Sequence, residues 1–167
     1  MAKIEIHICD ITTLKVDAIV NAANQFLEPG GGVDGAIHQA AGLALTRDCK
    51  LLGGCPTGQA KVTRAYSLPC RFVIHAVGPK WNGGHMQEDE LLANCYQSAF
   101  AIAEELHLQS IALPAISAGI FGFPIERATR IALSETKRFS GRETTINQII
   151  FACFTQEVAD VYLALNL

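Results

Sequence analysis

The sequence predicts an α/β fold of three layers: a mainly parallel or mixed sheet with helices on both faces. Three observations lead there. Short β-rich runs alternate with runs of helical periodicity along the whole chain. No repeat, linker or low-complexity segment interrupts them, and 167 residues suit one domain spanning 1–167. Two glycine-rich loops each follow a strand and precede a helix, as they do where open α/β sheets bind ligands at the carboxyl ends of their strands.

From the N-terminus, Lys3 to Asp10 alternates, with Ile4, Ile6 and Ile8 on one side and Glu5, His7 and Cys9 on the other, a strand signature. Val16 to Val20 is a second β-rich run, ending at Asn21. After the glycine cluster at 30–32, helical sequence runs from Val33 to about Cys49. Lys61–Ala65 and Arg71–Val77 read as strands separated by Leu68-Pro69. The clearest helix spans Glu88–Leu106. Its core stripe is Leu91, Leu92, Cys95, Tyr96, Ala99, Ile102, Ala103 and Leu106, and Glu88, Asp89 and Gln97 lie on the outer face. Ser110–Leu113 is a strand, and a helix follows with Pro124 at its first position. Gln148–Phe154 is the last strand and Gln156–Leu165 a closing helix.

Composition narrows the function classes. The chain is 50% hydrophobic and only 17% charged, against about 25% charged in typical domains. Its net charge is -3 with no block of Lys or Arg, so electrostatics gives no support for nucleic acid or a membrane surface as partner. A phosphate-bearing ligand would have to be met locally, by backbone N–H groups, helix ends or single basic residues. The six cysteines form no CxxC pair and no zinc-ligand spacing. Reduced, mostly buried thiols in a cytoplasmic protein are expected, with no metal site and no cofactor. The N-terminus lacks the regions of a signal peptide, and the short, polar-faced helices suggest a monomer.

The first loop runs from Asn21 to Gly35 and contains Gly30, Gly31 and Gly32; the second runs from Pro114 to Pro124 through Ser117, Gly119 and Gly122. Glycine lets a backbone approach a ligand closely, and a helix start adds free N–H donors and partial positive charge. One such loop suits a phosphate and two facing loops suit a diphosphate, although glycine clusters also serve plain tight turns. Asp34 falls in the first helical turn after the glycines. It is either a helix-dipole acid or, since a carboxylate repels a nearby phosphate, a group kept for chemistry. His38, four residues on, shares its face. Packing or capping is the commoner role for such a histidine, catalysis the sharper one. Asn21 and Asn24 suit turn chemistry or the reading of a sugar hydroxyl. Asp10 suits a cap over Ile11-Thr12-Thr13 or acceptance from an adenine amino group. Phe154 suits the core or stacking on a base.

Taken together, these segments resemble the macrodomain family, and within it the MacroD-type branch with bacterial members. The resemblance is carried by Cys9-Asp10-Ile11-Thr12, Val16 through Asn24, Gly30 through Gly42, Cys55-Pro-Thr-Gly58, Val73-Ile-His75-Ala-Val-Gly-Pro79 and Leu113 through Pro124. It implies a six-stranded mixed sheet between helices and an ADP-ribose cleft across the strand ends. Asp10 would bind the adenine amino group, Ile11 would offer a backbone N–H, and Phe154 would pack on the base. Asn21 would belong to the binding set, and Asn24 would hydrogen-bond the distal ribose. Gly31, Gly32 and Val33 would line that ribose and its phosphate; Ser117, Ala118, Gly119, Ile120 and Phe121 would wrap the pyrophosphate. Asp34, Asn24 and His38 would form the catalytic set, His38 in support of Asp34. Two departures stand out. Cys9 replaces the usual glycine and would be strained at positive φ. Ala118 and Phe121 replace two hydroxyl-bearing residues of the second loop.

The resemblance further implies hydrolysis of the ester joining ADP-ribose to a protein Asp or Glu, and deacetylation of O-acetyl-ADP-ribose. The substrates would then be ADP-ribose derivatives and mono-ADP-ribosylated proteins. A non-catalytic ADP-ribose reader and a regulatory interaction protein of RNA metabolism are the alternatives.

Overall fold

The computed structural model describes residues 2–166. Met1 and Leu167, the ends of the expected domain span, lie outside the described residues. Six strands, β1 (Lys3–Ile8), β2 (Ala18–Ala23), β3 (Ala60–Arg64), β4 (Phe72–Val77), β5 (Ser110–Leu113) and β6 (Gln148–Cys153), form one sheet in the order β1-β6-β5-β2-β4-β3. All neighbours are parallel except β3, which runs antiparallel to β4 at one edge. The expected six-stranded mixed sheet is therefore present. The carboxyl ends of β1, β6, β5 and β2 all open on one side of it, and the loops that follow them share that side.

Five helices cover the sheet: α1 (Gly32–Ala41), α2 (Leu43–Leu51), α3 (Glu88–Glu105), α4 (Ile125–Ser140) and α5 (Gln156–Leu165). Strand alternation divides the core between its faces. Ala18 and Val20 of β2 and Ile74 and Ala76 of β4 join the cluster built with α3, α4 and α5. Ile19, Ala23, Val73 and Val77 point the other way, onto Ile37, Ala41, Leu45 and Cys49 of α1 and α2. By the same parity Asn21 and His75, which are register partners, face α1.

Several expectations are corrected. The helix expected over 33–49 is two helices, broken at Gly42 (φ 94, ψ 177), a conformation open to glycine alone. Pro124 is the N-cap of α4 (φ -56, ψ 128) and not its first helical residue; its carbonyl accepts from the Ala128 N–H. Phe100 joins the buried stripe of α3 and stacks on Phe139 of α4 with centroids 4.4 Å apart. Glu88, assigned to the solvent face, is only 1% exposed. Strand β6 ends at Cys153, and Phe154 beyond it is 82% exposed, which rules out a core role. Cys9 does not take positive φ and continues the parallel ladder, its N–H donating to the Cys153 carbonyl at 3.0 Å. The strain feared there is absent.

Candidate functional site

A cleft of about 610 Å³ lies along the carboxyl edge of the sheet, lined by both glycine loops, by Cys9, Asp10 and Ile11 after β1, and by Phe154 after β6. Its first wall is the start of α1. The N-cap is Gly31, which has no side chain to satisfy the first turn. Helix geometry leaves the leading N–H groups without intrahelical acceptors, and among the described residues nothing accepts from the N–H of Gly31, Gly32 or Val33. The loop is packed tightly from below: a Cβ at Gly35 would lie 2.4 Å from the Gly30 carbonyl oxygen. Gly35→Ala must displace this loop. Overpacking costs about 1–3 kcal/mol, so affinity for ADP-ribose, the ligand that the resemblance implies, should weaken by about 5- to 150-fold in calorimetry, with the helical circular dichroism retained.

The second wall is the loop after β5. Ser117 (φ 65) and Gly122 (φ 73) bend it back on itself, and Phe123 N–H to Ser117 O at 2.9 Å and Gly122 N–H to Gly119 O at 3.0 Å close it. Among the described residues, the N–H groups of Gly119, Ile120 and Phe121 have no acceptor. Ala118 also lines the cleft. The side chain of Ile120 reaches across to the first loop; a Cβ at Gly31 would sit 3.0 Å from its Cδ1. The two sets of free donors thus face one cleft. At Ser117 the hydroxyl is buried with no partner among the described residues, and Gly78 must lack a side chain because a Cβ there would meet Ser117 Oγ at 2.2 Å.

The second loop is braced from outside by residues that the sequence did not single out. Trp81 donates its N–H to the Phe121 carbonyl at 2.8 Å. Trp81 begins a turn held from within by Glu88, whose carboxylate accepts from the N–H groups of Asn82, Gly84 and Met86. Burial pushes the Glu88 carboxyl up, but these donors outweigh it and hold it at about 2. An acid at the first position of a helix, just after Gly83-Gly84, was the available signal.

Asp34 is 5% exposed on α1 and lines the cleft. Its Oδ2 accepts from the Gly30 N–H at 2.8 Å and its Oδ1 from Asn21 Nδ2 at 2.7 Å. His38 Nε2 lies 3.3 Å from Asp34 Oδ1 but is buried without a hydrogen-bond partner among the described residues. His38 is itself buried, with Nδ1 3.1 Å from Thr46 Oγ1. Asn21 is fully buried behind Asp34 and does not line the cleft, which corrects its expected place among the ligand contacts. Its neighbour across the sheet, His75, extends the polar chain to Thr63 and Cys49. Burial pushes the His75 imidazole down to about 4; His38 adds to the fall and Asp34 opposes it. Asn24 lines the cleft, but its amide also shapes its own loop: Nδ2 donates to the Glu28 carbonyl, and Oδ1 accepts from the N–H groups of Phe26 and Glu28.

At the other end of the cleft, Asp10 caps the 3₁₀ turn Ile11–Thr13, its Oδ1 accepting from the Thr12 N–H and hydroxyl. The Asp10 Oδ2 has no partner among the described residues. Phe154 offers an open ring face on the rim. Cys9, also on the rim, has its thiol pushed up by burial and by Asp10. Burial likewise lifts Cys49 to about 11 and Cys95 to about 12. These thiols are therefore protonated at neutral pH and are not activated nucleophiles.

Known proteins resemble the chain throughout its length. The family description "Macro domain" fits residues 20–132. A macro domain-containing protein of Chlorobaculum tepidum is 54% identical over 153 residues, covering 92% of this chain and 89% of the relative. A Salmonella gallinarum protein named O-acetyl-ADP-ribose deacetylase is 49% identical over 160 residues, covering 93% and 89%. Among solved structures, an Oceanobacillus iheyensis macrodomain with ADP superposes with a TM-score of 0.94 at 38% identity, covering 99% of this chain and 90% of that one. A Trypanosoma brucei macrodomain in complex with ADP-ribose gives 0.90 at 41% identity, covering 95% and 67%.

Proposed function

The chain belongs to the Macro domain family, and from that premise we propose that it is a hydrolase of ADP-ribose esters. It would deacetylate O-acetyl-ADP-ribose and release ADP-ribose from mono-ADP-ribosylated Asp or Glu of proteins. The observation that carries this reading is a single cleft in which two loops present unpaired backbone N–H groups beside a buried carboxylate, Asp34. The N–H groups of Gly31, Gly32 and Val33 on one wall and of Gly119, Ile120 and Phe121 on the other suit a diphosphate's many acceptors. Phe154 and the free Oδ2 of Asp10 suit an adenine at the β1–β6 end. Asn24, Asp34 and Phe121 mark the distal ribose end.

The chemistry follows from that placement. Water attacks the ester carbonyl carbon, a tetrahedral centre forms, and the bond from that carbon to the ribose oxygen breaks. The products are a carboxylic acid and a free ribose hydroxyl. Each Asp34 oxygen already accepts one strong hydrogen bond and keeps a lone pair with which to orient or deprotonate the water. The protein's other contribution is to fix the ribose against that water.

One observation favours a second reading, a reader that binds ADP-ribose without turnover: both Asp34 oxygens are already engaged in holding Asn21 and Gly30. The discriminating experiment incubates the protein with O-acetyl-ADP-ribose and with a target carrying Glu-linked mono-ADP-ribose, follows acetate and ADP-ribose release, and measures ADP-ribose affinity. Release from either substrate supports the hydrolase. Tight binding with neither product released leaves the reader.

A further inference from the structure

His75 is fully buried on β4, lines no part of the cleft, and takes no part in the chemistry above. It touches the site through one atom. Asn21 Nδ2 lies 2.7 Å from Asp34 Oδ1 and 3.1 Å from His75 Nδ1, so both amide hydrogens are used, while Asn21 Oδ1 has no partner among the described residues. Rotating that amide by half a turn would put its oxygen against the Asp34 carboxylate, acceptor against acceptor. The tautomer of His75 decides whether the observed orientation is stable. With the proton on Nε2, Nδ1 is a lone pair that accepts from Asn21. With the proton on Nδ1, donor meets donor and the amide is driven toward the wrong orientation.

The contact that decides between the tautomers is Asn21 itself: Asp34 fixes its Nδ2 as a donor, which calls for the lone pair on Nδ1. On the other side of the ring Nε2 has Thr63 Oγ1 at 3.0 Å and Cys49 Sγ at 3.6 Å, either of which can accept its proton. Every neighbouring element contributes to this environment: Asn21 from β2, Asp34 and His38 from α1, Cys49 from α2, Thr63 from β3. Lys61, the register partner of His75 on β3, spends its ammonium on the Leu52 carbonyl at 3.0 Å.

We propose that His75 is a positioning residue for this site: as the neutral Nε2–H tautomer it accepts from Asn21 and so fixes the amide that donates to Asp34. With Oδ1 held in this way, Oδ2 is left to the Gly30 N–H, and the carboxylate and the first loop are set together. The effect on turnover rests on the hydrolase reading; the tautomer does not.

The test has two arms. Long-range proton–nitrogen spectra of the wild-type protein between pH 6 and 8 should show His75 neutral with the proton on Nε2. An Nδ1–H tautomer or an imidazolium there overturns the proposal, whether or not the protein hydrolyses any ester and whether or not a variant folds. In the second arm, His75→Asn keeps an acceptor oxygen near the Nδ1 position, whereas His75→Leu has none. Outer-shell partners that orient metal ligands contribute about 10- to 100-fold; taking that scale for a partner that orients a carboxylate, kcat should fall by about that factor in His75→Leu, with KM within about 3-fold. His75→Asn should recover most of the loss. An unchanged kcat in His75→Leu, or an equal loss in both variants, would overturn the role.

Discussion

Asp34→Ala is expected to lose ester turnover by about 100- to 10,000-fold, the range for removing a group that orients or takes a proton from water, while ADP-ribose still binds. Two effects on affinity oppose each other. Deleting the carboxylate leaves the Asn21 amide and the Gly30 N–H without their acceptor, and each unpaired buried donor costs about 1–3 kcal/mol, part of it as a looser first loop. The same deletion removes a negative charge from the cleft proposed to hold the diphosphate, which favours an anionic ligand. We expect the affinity to change by less than about 10-fold, or about 1.4 kcal/mol. Single-turnover release and calorimetry on the same preparation measure both quantities. Asp34→Asn is the harsher change for folding. One of its two side-chain atoms must be a donor, and donors already stand at both positions, so thermal stability should fall further than in Asp34→Ala. If both variants bind ADP-ribose and release product at the wild-type rate, Asp34 has no part in turnover.

How much of this was legible in the sequence depended on how local the signal was. Strand β1 was legible in its alternation and helix α3 in its apolar stripe, whereas β2, β4, β5 and β6, buried on both faces, were legible only as short apolar or β-rich runs. The two loops were legible as glycine clusters between a strand and a helix. What periodicity could not show was the meaning of a polar residue inside an apolar run. His75 in Phe72-Val-Ile-His-Ala-Val77 and Asn21 at the end of β2 look unrelated until the parallel register places them side by side beneath α1. Glu88 was assigned to solvent because it opens an amphipathic helix, yet the turn before that helix folds back and wraps its backbone N–H groups around the carboxylate. The division of the first helical segment at Gly42 was hidden for the opposite reason. Apolar spacing continues through it, and only the backbone conformation reveals the break.

Acid should weaken the fold in two separate steps, the first belonging to His75. Its folded-state value, about 4, lies below the ordinary 6.5. Between those values the unfolded chain binds a proton that the folded protein refuses, so stability falls as pH is lowered through this window and the loss is complete below about pH 4. A difference of this size corresponds to about 3 kcal/mol, a large part of a typical domain's stability. Glu88 acts lower down. Its folded value is about 2 against an ordinary 4.5, so its contribution is full above pH 4.5 and disappears as pH falls toward 2, when protonation breaks its hold on the turn at 82–86. Urea unfolding at intervals from pH 7.5 to 3 should therefore show a decline that begins near pH 6.5, well above the range where carboxylates titrate. His75→Asn, which cannot titrate, should lose most of that early decline relative to wild type while keeping the later one. The comparison isolates His75 from the other four histidines, which both proteins share. A decline that begins only below pH 5 in wild type, or one that is unchanged in His75→Asn, would mean that His75 accepts its proton in the folded state at ordinary cost. The polar chain beneath Asp34 would then be looser than its burial implies.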